Sequence, residues 1–117
     1  METINDIILQ TQQELRRGTL VISVLASLKD AQYGYSLIQH LEQKGISIEG
    51  NTLYPLLRRL EKQTLLESKW DVDSSKPRKY YVVTKNGILV LEALQQTWLE
   101  TVKKMNDLLG GLLWTTH

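Results

Sequence analysis

The residues best suited to meeting a charged partner fall in two short stretches. In Gly50–Lys62, a turn of about 100° per residue brings Asn51, Pro55, Arg58 and Lys62 onto one side, with Tyr54 and Arg59 on its flanks. No carboxylate lies along the centre of that side. The opposite side carries Leu53, Leu56, Leu57 and Leu60, a narrow apolar stripe made to dock on a core. The second stretch, Lys76-Pro77-Arg78-Lys79, is basic and begins at the end of a polar turn. Such residues recognise anions. Arg58 can offer paired donors to a guanine edge or a phosphate, and Asn51 can meet adenine. Thr52 and Tyr54 can offer hydroxyls to phosphates near a positive helix end. Solvated surface helices also carry charge, so the face takes its meaning from the frame that holds it.

Other chemistries are poorly served. The chain of 117 residues has no Cys and only two His, His40 and His117. Thiolate metal sites, disulfides and cysteine nucleophiles are excluded, and the histidines are too few for a metal or triad constellation. Asp71-Val72-Asp73-Ser74 opens like a calcium loop. Lys76 and Pro77 then stand where that loop needs glycine, and Val82 where it needs its last glutamate. No glycine-rich phosphate cradle is present, so no enzyme, metal or cofactor is expected. Apolar runs stay far below the roughly 20 residues that span a bilayer, and the acidic start lacks a basic signal region. A cytoplasmic protein without a membrane partner is expected. Net charge is only +1, so a nucleic-acid partner must be argued from where charges lie.

The positioning elements follow from periodicity. Residues 3–28 read as helix, with a first stripe of Ile4, Ile7, Ile8, Thr11 and Leu15. A second stripe, Leu20, Val21, Val24, Leu25 and Leu28, is apolar nearly all round and suits the buried centre. Arg16-Arg17-Gly18-Thr19 between them allows one kinked helix or two. Tyr33–Glu42 reads as the next helix, closed by Gly45 at C′. Asn51 is the expected N-cap of the helix after it, which places Pro55 at the fourth helical position and predicts a distorted first turn. Residues 65–70 and 78–83 read as strands about a polar turn. Trp70, Tyr80 and Tyr81 are expected to pack the hairpin on the helices rather than form a stacking platform for single strands.

Thr84 can cap a last helix over about 85–109. Its seam is Ile88, Leu91, Leu94, Trp98, Val102, Met105 and Leu108 or Leu109. At roughly 1.5 Å per residue it is about 37 Å long, more than so small a domain can cover. The fold class is mainly α (α+β): a winged helix-turn-helix with a two-stranded β wing and a long C-terminal dimerisation helix. Residues 1–83 form the DNA-binding domain with its N-terminal helix, 84–109 the dimerisation helix, and 110–117 a tail.

In this order the chain resembles the PadR family of bacterial winged-helix transcriptional regulators. The resemblance rests on Leu15–Leu20, Tyr33-Gly34-Tyr35, Thr52–Glu61, Leu65-Leu66, Trp70, Pro77–Tyr81 and Thr84 with Gly87. It covers about residues 15–90 and departs at Gln63-Thr64, where the family usually places glycine. It implies a homodimeric repressor on a pseudo-palindromic DNA operator, contacted by Asn51, Thr52, Tyr54, Pro55, Arg58 and Lys62. Lys76, Arg78 and Lys79 would meet the backbone or a narrow minor groove from the wing. The single C-terminal helix with a central Trp98 is similar to the short subgroup. That similarity implies a pocket in which Trp98 and its symmetry mate stack a small aromatic effector, against the plainer role of a bulky seam residue. The rival functions are a protein-interaction module and a sequence-blind architectural DNA binder.

Overall fold

Helices form where the apolar spacing demands them, and most begin or end on an identifiable cap. In the computed structural model, which describes residues 1–73 and 75–110, α1 spans Ile4–Arg17 and starts on a capping box. The Thr3 hydroxyl accepts from the Asp6 N–H at 3.1 Å, and the Asp6 carboxylate accepts from the Thr3 N–H at 2.9 Å. These bonds hold the Asp6 carboxyl below its ordinary pKa. The stretch 3–28 resolves into two helices, α1 and α2 (Leu20–Ser27). Thr19 stands at the N-cap of α2, but its hydroxyl turns back to the Arg16 carbonyl at 2.8 Å and caps nothing.

The strand β1 (Gln32–Tyr33) precedes α3 (Gly34–Gln43). Sequence reading placed Tyr33 inside the helix; it is extended instead, at φ −73° and ψ 154°, and pairs with a later strand. Helix α3 ends in a Schellman motif. Gly45 adopts φ +82°, its N–H reaches the Glu42 carbonyl, and the Ile46 N–H reaches that of Leu41. A short link then leads to α4 (Gly50–Lys62).

Helix α4 starts earlier than expected, with Glu49 and not Asn51 at the N-cap. The Glu49 carbonyl already accepts from the N–H groups of Thr52 and Leu53, at 3.0 and 2.9 Å, and no side chain caps this end. Pro55 is therefore the sixth helical residue. It cannot donate the bond that position 55 would make to the Asn51 carbonyl.

The wing hairpin pairs β2 (Leu66–Asp71) with β3 (Arg78–Val83), in a register running from Leu66 opposite Val83 to Asp71 opposite Arg78. Strand β1 adds to the other edge of β3, with Tyr33 opposite Tyr80, giving the order β1-β3-β2. The expected two-stranded wing is thus rooted in a third strand, which meets the need of an isolated hairpin for support. Tyr81 is buried, whereas Trp70 is 62% exposed and does not pack inward as expected. The core joins Val24, Leu25 and Leu28 of the second helix region to Leu37 and Leu41. Ile48, Leu53, Leu57 and Leu60, with Leu66, Tyr81 and Leu91, complete it. Each such leucine contributes about 1.5–3 kcal/mol by burial.

Helix α5 (Lys85–Leu108) is joined tightly to the end of α4. The Thr84 hydroxyl accepts from the Gly87 N–H and donates to the Thr64 carbonyl at 2.6 Å. The Thr84 N–H reaches the Leu65 carbonyl, and Asn86 donates to the Thr64 hydroxyl at 3.0 Å. Thr64 holds φ +66° at the C′ position of α4, closing a second Schellman motif where glycine would be unstrained. From Gln95 onward nearly every residue of α5 is exposed, Trp98, Leu99, Met105 and Leu108 among them. Helix α1 buries no residue at all. The radius of gyration, 17.2 Å, exceeds the roughly 13 Å of a compact domain this long for the same reason. Ser74 and the expected tail beyond Gly110 lie outside the described residues.

The junction is tight enough to test. A Cβ at Gly87 would sit 2.2 Å from the Leu65 carbonyl oxygen and 2.4 Å from a Val83 methyl. Gly87→Ala should lower unfolding free energy by about 1–3 kcal/mol in a urea titration, with the slope unchanged.

Candidate nucleic-acid interface

Burial of Leu53, Leu57 and Leu60 fixes the rotation of α4, and so fixes what it shows to solvent. Asn51, Thr52, Pro55, Arg58, Arg59 and Lys62 are all exposed along it. Tyr54 has a second role that its type did not reveal. Its ring lies against the first residues of both α3 and α4: a Cβ on Gly34 would come within 2.4 Å of it, and one on Gly50 within 3.3 Å. The two glycines let the ring join the helix starts, so the turn between the helices is set partly by Tyr54.

Tyr54 also lines an open groove of about 200 Å³ between the helix-turn-helix and the wing. Tyr33, Gly34 and Tyr35, where β1 passes into α3, form one side, and Trp70, Pro77, Arg78, Lys79 and Tyr81 the wing side. The groove thus brings the wing cations Arg78 and Lys79 to the same place as α4. Lys76 is exposed in the turn between β2 and β3. Trp98 lies elsewhere, 46% exposed, beside a second groove of about 270 Å³ lined by Thr19, Ile22, Ser23 and Ile46.

The three wing cations are not equivalent. Lys79 pairs with Glu61 of α4 at 3.6 Å and lies 5.6 Å from the centre of the Tyr81 ring. Glu61 also accepts a hydrogen bond from the Ser68 hydroxyl, so the carboxylate nearest the end of the basic helix is held toward the wing. The Arg78 guanidinium lies 4.1 Å over the Tyr33 ring. The Tyr33 hydroxyl donates to Asp71 at 2.5 Å, and Asp71 also accepts from the Asp73 N–H at 3.1 Å.

Sequence reasoning missed Tyr33 as the group that holds Asp71. The signal was present only as the repeated Tyr33-Gly34-Tyr35 before a helix. The hydrogen bond from Tyr33 is the main reason the Asp71 carboxyl titrates below its ordinary range. The Asp73 N–H lowers it further, and the nearby Arg78 charge adds a smaller effect. The same bond raises the Tyr33 hydroxyl above its usual value.

The sequence profile of the Transcriptional regulator PadR-like family matches residues 22–93, from within α2 into the first half of α5. The chain belongs to this family. A PadR family transcriptional regulator from Eggerthella lenta, solved by crystallography, superposes on this PadR-like chain with a TM-score of 0.84 at 45% identity. That match covers 93% of this chain and 94% of the other. A PadR-like transcriptional regulator from Bacillus cereus gives a TM-score of 0.73 at 32% identity, over 82% and 96% of the two chains. The Transcriptional regulator Rv3488 of Mycobacterium tuberculosis is 30% identical over 100 residues, 85% of this chain and 91% of that one. The PadR-like chain is therefore a DNA-binding transcriptional regulator built on a winged helix, from a family of regulators rather than enzymes. Among the described residues, no helix is long and apolar enough to cross a membrane.

The bond between Tyr33 and Asp71 carries a pH signature. A carboxyl depressed in the folded state contributes stability above its unfolded pKa and loses it as pH falls through the folded value. Asp71→Asn should therefore melt below the wild type at pH 7. The gap should close as pH drops below about 4, measured by circular dichroism melts across that range.

Proposed function

We propose that this PadR-like protein is a homodimeric, effector-responsive repressor that reads a pseudo-palindromic operator in the cytoplasm. Each α4 enters a major groove with Arg58 and Asn51 toward base edges. Thr52, Tyr54, Pro55 and Lys62 lie against the flanking strand. From the wing, Lys76, Arg78 and Lys79 hold the sugar-phosphate backbone, with Lys79 contributing least because it already serves Glu61. The observation that carries this reading is the rotation of α4, whose buried leucines leave a polar, cationic face outward beside a groove shared with the wing cations.

Pairing is supported by the two helices that the single chain leaves uncovered. The α1 stripe of Ile4, Ile7, Ile8 and Leu15 is exposed, as are Leu99, Met105 and Leu108 of α5. Apolar faces on α1 and the far half of α5 suit burial against a second copy, which would also set the spacing of the two recognition helices. For the effector, Trp98 offers an aromatic face beside the groove of Ile22 and Ile46, a lining fit for a flat, largely apolar molecule. A ligand there regulates only if it binds the DNA-competent and DNA-free arrangements with different affinity.

Selection of bound duplexes from a random pool tests the whole reading. The expected product is an inverted repeat with half-sites about one helical turn apart; enrichment of no sequence would instead support the architectural role. On the selected operator, Arg58→Ala should cost about 1–3 kcal/mol and relax one base position, seen by repeating the selection with the variant. For the effector site, fluorescence titration of planar aromatic compounds should show Trp98→Ala binding them at least tenfold more weakly. Equal affinities would remove Trp98 from that role.

A further inference from the structure

We propose that Tyr33 is a positioning residue for DNA binding, which presents the Arg78 guanidinium to a phosphate by stacking beneath it and by keeping Asp71 occupied. The inference rests on the wing contacting DNA, as in the function proposed above. Asp71 and Arg78 stand directly opposite each other across β2 and β3. Opposed residues in a ladder have Cβ atoms about 4.5–5.5 Å apart, so an ion pair between them is the default expectation. None forms within 4.0 Å. Asp71 is instead taken by two donors, the Tyr33 hydroxyl on one oxygen and the Asp73 N–H on the other.

Tyr33 itself is firmly held. Its backbone pairs with Tyr80 in the β1–β3 ladder, and its ring meets the Tyr80 ring edge-on, with centroids 6.1 Å apart and planes at 90°. The ring then covers one face of the Arg78 guanidinium at 4.1 Å. A guanidinium stacked on its flat face keeps the N–H donors on its edge, the geometry that binds phosphate through two parallel hydrogen bonds. One tyrosine thus supplies two effects: it orients the cation, and it removes the carboxylate that would neutralise it. The modest influence of Arg78 on Asp71, smaller than that of the Tyr33 hydrogen bond, agrees with this division.

The substitutions separate these effects. Tyr33→Phe keeps the ring and deletes only the hydroxyl, freeing Asp71 to turn onto Arg78. Binding of a mixed-sequence duplex, followed by fluorescence anisotropy over a salt series, should weaken roughly fivefold to tenfold at low salt. The slope of log affinity against log salt should fall by about 0.9, one phosphate contact. Adding Asp71→Asn to Tyr33→Phe should restore both values, since no carboxylate remains to capture Arg78. In an Arg78→Ala background, Tyr33→Phe should change neither. A purely structural role for Tyr33 predicts otherwise: no rescue by Asp71→Asn, and the same loss with or without Arg78. Either of those results overturns the proposal, as does a wild-type slope in Tyr33→Phe. If the wild-type protein binds no duplex, the interface itself is refuted and this role with it. If the wild type binds and Tyr33→Phe matches it, the positioning role alone is refuted.

Discussion

Most of this molecule depends on one crowded crossing, where the end of α4 meets the start of α5 at Thr64, Leu65, Thr84 and Gly87. Four hydrogen bonds pass between these two segments or cap the helix that leaves them, and Gly87 lies so close to the Leu65 carbonyl that no side chain fits. The recognition helix, the first wing strand, the second wing strand and the long helix all enter or leave here. Their relative angles are therefore set by short polar contacts and one close backbone approach rather than by apolar side chains able to repack. Thr64 shows what the crossing is worth. A β-branched residue in the left-handed region is strained, yet its hydroxyl and carbonyl are both bonded to the start of α5.

Around that crossing, the apolar pattern specified the helices well. Leu53, Leu57 and Leu60 at helical spacing gave both the existence of α4 and the face it buries. The capping hydroxyl of Thr84 gave the start of α5. Local patterns could not give what depended on distant pairing. Strand β1 is two residues long and exists only because β3 lies beside it, so nothing in Gln32-Tyr33 separates it from the helix that follows. The N-cap failed for a related reason. Asn51 has the better capping side chain, but Glu49 is the residue with extended backbone, and its carbonyl begins the helix unaided.

The candidate site divides the same way. Charge and spacing identified Arg58, Lys62 and the Lys76–Lys79 stretch, because exposure of cations on a face opposite leucines is a property of one element. They did not reveal that Lys79 reaches across to Glu61, nor that Tyr54 packs between Gly34 and Gly50, nor that Tyr33 lies beneath Arg78. Each of those arrangements depends on at least one residue far away in the chain: Glu61 for Lys79, Gly34 for Tyr54 and Tyr33 for Arg78. Trp70 erred in the other direction: its aromatic bulk suggested packing, but the Trp70 side chain stays in solvent on the wing.

The pair formed by Lys79 and Glu61 has a consequence for how the protein approaches a polyanion. With a net charge of only +1, the chain exerts little long-range pull, and at physiological salt its fields fade within about 8 Å. Tying Glu61 to Lys79 and Ser68 offsets the carboxylate nearest the end of the basic helix, at the expense of one wing cation. A field this weak at distance leaves orientation to short-range contacts, and it gives a polyanion of arbitrary sequence little to hold.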